Sequence, residues 1–218
     1  MRSIPGSLPM PCVLTILLIE GLDDYTVNDK GNIVFVQKTT EETDKLIAIG
    51  NNNIIEYNDE GSITNSFFIL DKGILNNQKV SGETTYMSVK NDEQAKGLFE
   101  FLSENTSIEW GKVSFGKVSN YISTNNNPYN NGIETITYER LLKENKCNLL
   151  RFIDHSHPDG SFPSGFSNEK GFLPKGQGDK AFAEWFYNYY PKIAPLVKLR
   201  VYNPIQKNYI RYNNKTYF

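Results

Sequence analysis

The two histidines of the chain are separated by a single residue, in the segment His155-Ser156-His157. Residues two apart in an extended strand face the same side, so a strand over Leu149 to His157 presents both imidazoles together. Zinc is bound by neutral imidazole nitrogens and carboxylate oxygens in a tetrahedron, and a catalytic zinc leaves one position to water. The spacing therefore predicts two of three protein ligands of a hydrolytic metal ion.

A third ligand must come from elsewhere, and three aspartates are candidates. Asp154 lies on the opposite face of the predicted strand. Asp159 lies in a Pro-Asp-Gly turn, where local backbone amides compete for its carboxylate. Asp179 opens an apolar helix that can fold back over the histidines, although aspartate is also a preferred helix N-cap. On these grounds Asp159 and Asp179 both remain candidates for the third ligand.

Each candidate also has an ordinary structural explanation. Pairs of the form His-x-His arise by chance in exposed loops, so the pair alone is a weak signal. Glu109, which lies upstream of the histidines, can equally be a solvated strand residue. Ser164 can equally be an ordinary turn serine. The joint appearance of these residues carries more weight than any one of them.

The order of these residues resembles a known family. His157-Pro158 is followed by Pro163-Ser164-Gly165 and then by Gly178-Asp179. This is similar to the motif of JAB/MPN-type (JAMM) zinc metallopeptidases, H-x-H-P followed by P-S-x-x-D. The resemblance implies Asp179 as the third metal ligand. That family also places a catalytic glutamate on an upstream strand, a position that Glu109 matches.

The wider sequence resembles JAB-like toxin domains at the carboxyl end of Rhs-type polymorphic toxins from Bacteroidetes. One departure is that fourteen residues separate Ser164 from Asp179, where the family motif is much shorter. The inserted segment, Phe166 to Gly178, is expected to cover the cleft or contact substrate. The resemblance spans Gly21 to Phe218 and rests on Gly21–Val27, Thr43–Leu46, Ile69–Leu75 and Leu98–Trp110.

The resemblance implies a Zn²⁺-dependent peptidase or isopeptidase that hydrolyses amide bonds in a protein. Zinc would lower the pKa of a water molecule towards neutrality. Glu109 would act as the general base, and Ser164 would hydrogen-bond the developing oxyanion. A secreted effector delivered into target cells, with a cognate immunity protein as a partner, is also implied.

The elements that must position these residues indicate an α+β fold. Residues 1–22 are interpreted as a leader or a remnant of a longer parent chain, and residues 23–90 as a β-rich accessory region. Residues 91–218 are interpreted as the JAB/MPN-like domain, for which the resemblance implies a cytidine-deaminase-like mixed sheet flanked by helices. Short strands are predicted in the β-rich region at Ile33–Val36, Leu46–Ile49, Ile54–Tyr57 and Ile63–Leu70.

The second part of the chain shows longer periodic patterns. Asn91 or Asp92 is expected to cap a helix that runs to about Ser103. Alternation over Ser107 to Phe115 predicts a strand with Ile108 and Trp110 on one face and Glu109 on the other. Later elements are a strand at Val118–Ser123, a helix from Asp179 that ends before Pro191, and a hairpin of Leu196–Tyr202 with Asn208–Tyr212.

Composition excludes some function classes. The net charge of −2 argues against a dedicated nucleic-acid binder, which needs a clustered excess of lysine and arginine. The apolar run Val13–Ile19 is far shorter than the roughly 20 residues that span a bilayer.

Two other functions remain open at this stage. Asp154 beside His155 is compatible with a metal-dependent nuclease, although the charge does not favour one. The long segment before Asp179 is compatible with a JAB-like interaction module that has lost its metal.

Overall fold

The computed structural model of the protein describes residues 23–40, 42–116, 119–133, 136–137, 149–166 and 177–218. Residues 1–22, which were interpreted as a leader or a remnant of a parent chain, lie outside these ranges. Residues 167–176, which form most of the inserted segment, also lie outside them. The first described strands form a four-stranded sheet in the order β2-β1-β3-β4, in which only β1 and β3 are parallel neighbours. The strands are β1 Asp23–Asn28, β2 Ile33–Gln37, β3 Thr43–Gly50 and β4 Phe67–Asp71.

A second sheet of seven strands has the order β11-β10-β9-β7-β8-β6-β5. Only β9 and β10 are parallel, and the other neighbours are antiparallel. Its first two strands come from the predicted β-rich region, so that region contributes to both sheets. The strands are β5 Lys79–Ser81, β6 Thr84–Val89, β7 Gly111–Phe115, β8 Ser119–Thr124, β9 Leu150–Ser156, β10 Lys198–Asn203 and β11 Asn208–Tyr212.

Two α-helices accompany the sheets in the described residues, α1 Asp92–Asn105 and α2 Gly178–Tyr189. The predicted cap of α1 is confirmed, because the Asn91 side chain accepts hydrogen bonds from two backbone amides of the first turn. Single 3₁₀ turns lie at Leu75–Asn77 and Ala194–Leu196. The described helices include none long and apolar enough to cross a bilayer. The α+β prediction is confirmed.

The hydrophobic core has two parts, one on each face of the seven-stranded sheet. In the first, α1 packs between the two sheets through Leu98, Phe99 and neighbouring apolar residues. In the second, α2 packs on the opposite face through Ala183 and Phe186, against Ile153 of β9. Because side chains alternate along a strand, His155 lies on the same face as Ile153 and is directed towards α2.

Several strand predictions are wrong in extent. Ile63–Leu70 is a strand only from Phe67, and Leu196–Tyr202 only from Lys198, because Leu196 ends a 3₁₀ turn. Ile54–Tyr57 is not a strand and contributes only an isolated bridge between Tyr57 and Ile63, because the Asn- and Gly-rich residues around it form turns. The strand predicted over Ser107 to Phe115 begins only at Gly111. Its first part is bonded to loops instead, since Ser107 N donates to Asp29 O and Glu109 N donates to Asn127 O.

Candidate metal centre

The two histidines lie at the end of β9, with both side chains buried. Their Nε2 atoms are 3.1 Å apart. His155 is paired across the sheet with Gly111 of β7, and a Cβ at Gly111 would come within 2.9 Å of the Asn131 side chain. The absence of a side chain at Gly111 thus leaves room for the loop after β8 to approach the histidines.

Asp179 brings a carboxylate to the same point. Its Oδ1 lies 2.7 Å from Nε2 of His155, and its Oδ2 lies 3.5 Å from Nε2 of His157. The residue lies in the first turn of α2, where the helix dipole favours a negative charge. The N-cap position belongs to Gln177, so the explanation of Asp179 as an N-cap is wrong.

The spacing of these atoms fits a tetrahedral zinc ion. Bond lengths of about 2.0–2.1 Å at tetrahedral angles place neighbouring ligand atoms about 3.3 Å apart. The separation of 3.1 Å between the two Nε2 atoms lies near that value, and the Asp179 carboxylate lies within reach of both, with Oδ1 at 2.7 Å from His155 and Oδ2 at 3.5 Å from His157. Within the described ranges, His155, His157 and Asp179 are the group of three potential ligands whose donor atoms all lie within 4.8 Å of one another.

Ser164 anchors Asp179 in this position. Its backbone N and its hydroxyl both donate to Oδ2 of Asp179, at 2.6 and 2.8 Å. The hydroxyl also accepts a hydrogen bond from Asp179 N at 3.0 Å, and Lys180 N donates to Ser164 O. These contacts tie the loop after β9 to the start of α2, although fourteen residues separate Ser164 from Asp179.

Glu109 borders the group on its open side. Its Oε1 lies 3.9 Å from Nε2 of His157, and its side chain is only 12% exposed. Burial raises the pKa of Glu109 to about 7. Asn131 donates a hydrogen bond to the other oxygen, Oε2, at 3.1 Å, which opposes this rise in the pKa. The carboxyl group is therefore held in place with one oxygen directed towards the histidines.

Hydrogen bonds behind His157 favour the tautomer that a metal needs. Its Nδ1 lies 3.2 Å from Ser161 O and 2.9 Å from Ser161 Oγ. A proton on Nδ1 donated to the carbonyl oxygen leaves Nε2 unprotonated and directed at the group, as metal-bound histidines require. Asp159 Oδ1 accepts from Ser161 N at 3.0 Å and so supports this turn without joining the three ligands.

The buried charges of the group compensate one another. Burial alone would lower the pKa of His155, but the Asp179 carboxylate outweighs it and raises that pKa. For Asp179, burial acts to raise the pKa, and the imidazoles together with Ser164 lower it below its ordinary value. Burial and the neighbouring His155 lower the pKa of His157. A divalent cation would replace the proton that His155 and Asp179 share here.

Asp154 is directed to the other face of the sheet, as predicted from its parity. Its side chain is fully buried and forms an ion pair with Lys112 at 2.7 Å. Arg200 donates two hydrogen bonds to the same carboxylate, at 2.7 and 2.8 Å. Both oxygens are therefore occupied away from the histidines.

A cavity of about 710 Å³ opens beside the group. It lies between the loop that follows β8 and the turn that follows β9, and Glu109, His157 and Ser164 line its floor. A smaller cavity of about 240 Å³ adjoins the same residues and reaches His155 and Asp179. A substrate can therefore approach the open side of the histidines.

Sequence reasoning missed the roles of Asn131 and Ser161. Asn131 lies in an asparagine-rich loop after β8, and nothing in the composition of this loop selects one asparagine as the partner of Glu109. Ser161 had a weak signal, because it lies four residues after His157, beyond a Pro-Asp-Gly turn.

Residues 87–184 match the family described as JAB-like toxin 1. This segment begins in β6, ends in α2, and contains Glu109, both histidines, Ser164 and Asp179. The chain has no significant match among curated proteins or among solved structures. The match confirms the resemblance of this part of the chain to JAB-like toxin domains.

Proposed function

We propose that the protein is a Zn²⁺-dependent peptidase or isopeptidase of the JAB/MPN (JAMM) type that hydrolyses amide bonds in a protein. The observation that carries the proposal is the buried group of His155, His157 and Asp179 with Glu109 on its open side. Two facing imidazoles and one carboxylate are the protein donors of a zinc site that keeps a fourth position free.

In this proposal the two histidines and Asp179 hold the ion. When bound, zinc supplies a Lewis acid that polarises a carbonyl group and lowers the pKa of a water molecule. Glu109 accepts a proton from the attacking water molecule on Oε1 and passes it to the leaving amine. Burial acts to raise its pKa, which favours a group that both gains and loses a proton during the reaction.

Ser164 takes two proposed roles. Its contacts with Asp179 support a role in positioning this ligand. The oxyanion role needs the hydroxyl hydrogen to turn from Asp179 Oδ2 towards the substrate, while Ser164 N continues to hold the carboxylate. The two roles differ in whether removing the hydroxyl weakens zinc binding or slows the reaction.

The observations favour a protein substrate over a nucleic acid. Asp154, which suggested a nuclease, is bound to Lys112 and Arg200 on the far face of the sheet. The described residues that line the two cavities include no lysine or arginine, whereas phosphate groups are bound mainly by such cations. An interaction module that has lost its metal is also disfavoured. Without a metal ion, only a proton shared by His155 and Asp179 would hold the two buried imidazoles beside the carboxylate.

The family match supports the proposal that the protein acts as a toxin effector. A JAB-like toxin domain at residues 87–184 is the basis for proposing an effector of the Rhs polymorphic type, delivered into target cells and neutralised by an immunity protein. The mixed sheet formed by β7 to β11, flanked by α1 and α2, supports the JAB/MPN-like, cytidine-deaminase-like arrangement proposed for residues 91–218.

The test combines zinc analysis with a search for hydrolysis. Purified protein is expected to hold about one zinc per chain by elemental mass spectrometry, and incubation with a bacterial lysate is expected to create new amino groups, identified by labelling and sequencing. Glu109→Gln should keep the zinc and lose about 100-fold or more in rate. The control, Glu184→Gln, removes an exposed carboxylate of α2 paired with Lys180 and should behave as the parent. A protein without zinc, or an active Glu109→Gln variant, overturns the proposal.

A further inference from the structure

We infer that the substrate segment bound in the larger cavity carries a lysine or arginine side chain, received by Asp159 and Tyr129. The inference rests on the proposed function and names the chemistry of the segment beside the scissile bond. It concerns residues outside the ligand group and the general base.

The lining of the cavity has one sign of charge. The charged side chains among the described lining residues are the carboxylates of Glu109 and Asp159, beside the imidazole of His157. Glu109 is committed to the metal group, and the hydroxyl of Ser161 contacts His157. Asp159 is the carboxylate that remains for a substrate.

Asp159 is exposed and held in a defined position. Its Oδ1 accepts a hydrogen bond from Ser161 N at 3.0 Å, which orients the exposed carboxylate. No lysine or arginine in the described part of the chain forms an ion pair with it. The cavity therefore contains a preorganised negative charge that has no cationic partner there.

Tyr129 contributes an aromatic ring to the same cavity from a different element. It lies in the loop after β8 and is 88% exposed, an unusual environment for a side chain of its size. Its backbone N donates to Asn127 Oδ1 at 2.8 Å, which fixes the loop. Ring faces attract ammonium and guanidinium groups, and Asp159 contributes a carboxylate to the lining of the same cavity. The pair is thus suited to a cationic side chain and unsuited to an acidic or phosphorylated one.

Metal binding does not neutralise the charge of the Asp159 carboxylate. Asp159 is not among the three ligands, so its charge still acts on whatever occupies the cavity. The preference for a basic side chain therefore persists in the zinc-loaded protein.

The experiment measures binding without turnover. Zinc-loaded Glu109→Gln protein is immobilised and exposed to a random heptapeptide library, and captured peptides are sequenced by mass spectrometry. Lysine and arginine should be enriched about two- to five-fold over glutamine, the range expected for one partly exposed ion pair. Adding Asp159→Asn should remove the enrichment, and Asp159→Lys should replace it with enrichment of aspartate and glutamate.

Two controls separate this inference from the proposed function. Asp59→Asn changes an exposed turn aspartate in the four-stranded sheet region and should leave the enrichment intact. Zinc content is measured for every variant, and Asp159→Asn should keep it. Capture without charge preference, preference that survives Asp159→Asn, or no capture by a zinc-loaded protein would each overturn the inference. Loss of zinc or of hydrolysis in the parent protein would instead overturn the proposed function.

Discussion

Oδ1 of Asp179 lies 2.7 Å from Nε2 of His155, although one residue begins a helix and the other ends a strand. The contact exists because Ser164 holds the carboxylate from the opposite side through its backbone N and its hydroxyl. The candidate centre is therefore closed by the loop after β9, and changes in that loop should act on metal binding.

The first prediction separates the two candidate third ligands. Asp179→Asn should weaken zinc binding by about 100-fold or more, because it removes the charged donor from the group. Asp159→Asn should leave zinc binding within about two-fold, since this residue only supports a turn. Competition with a chromogenic zinc chelator measures both affinities. The reverse order would make Asp159 the ligand.

A second prediction distinguishes the two roles of Ser164. If its hydroxyl positions Asp179, Ser164→Ala should weaken zinc binding by about 10- to 100-fold, the usual effect of losing such a supporting hydrogen bond. If the hydroxyl stabilises only the oxyanion, zinc affinity should stay constant while kcat falls by about 100-fold. The contacts with Asp179 lead us to expect the weaker zinc binding.

The third prediction concerns the support of Glu109 by Asn131. Asn131→Ala removes a hydrogen bond that lowers the pKa of Glu109, so this pKa should rise further above about 7. The pH at which activity begins should therefore move upwards, and kcat should fall at neutral pH with little change in zinc content. Asn208→Ala, at the start of β11, serves as the control. An unchanged pH profile would leave Asn131 with a structural role only.

The buried ion pairs of Asp154 should matter for stability. Asp154→Ala leaves Lys112 buried without its partner and should cost about 3–5 kcal/mol in the free energy of unfolding. Asp92→Asn breaks the exposed pair with Arg151 and should cost less than about 1 kcal/mol. Urea denaturation followed by circular dichroism measures both. Equal effects would contradict the importance of burial.

A fifth prediction uses the buried carboxyl group of Asp44 in β3. Burial raises its pKa, and Oδ1 has no hydrogen-bond partner. The folded state thus holds a proton that the unfolded state releases near pH 4, so stability is lost as the pH rises from there through the raised pKa. Asp44→Asn keeps an acceptor for Gly73 N and avoids this loss.

The variant should therefore gain about 1 kcal/mol in the free energy of unfolding at pH 7. The gain should disappear at about pH 3, where the parent carboxyl group is protonated in both states. Denaturation at both pH values measures it. An equal gain at the two values would show that charge is not its cause.

Much of the architecture was predictable because its signals are local. The Asn91 cap and the apolar spacing of α1 specify a helix by themselves, and the equal parity of His155 and His157 specifies their common face. The segment before Gly111 was mistaken for strand because its alternation of burial is real, with Ile108 and Trp110 buried and Glu109 directed at the site. Its backbone partners are distant loops, which a local pattern does not reveal.

The sequence by itself determined which functional groups are available: two imidazoles on one face, a carboxylate at the start of a helix and an acidic residue upstream. It could do so because residue types and the strand period are local properties of the chain. Only the tertiary structure decided that Asp179 meets the histidines, that Asp154 is bound elsewhere, and that Asn131 and Ser161 orient the active groups. These contacts join residues brought together by sheet pairing and core packing, whose free energy is not a property of any local segment.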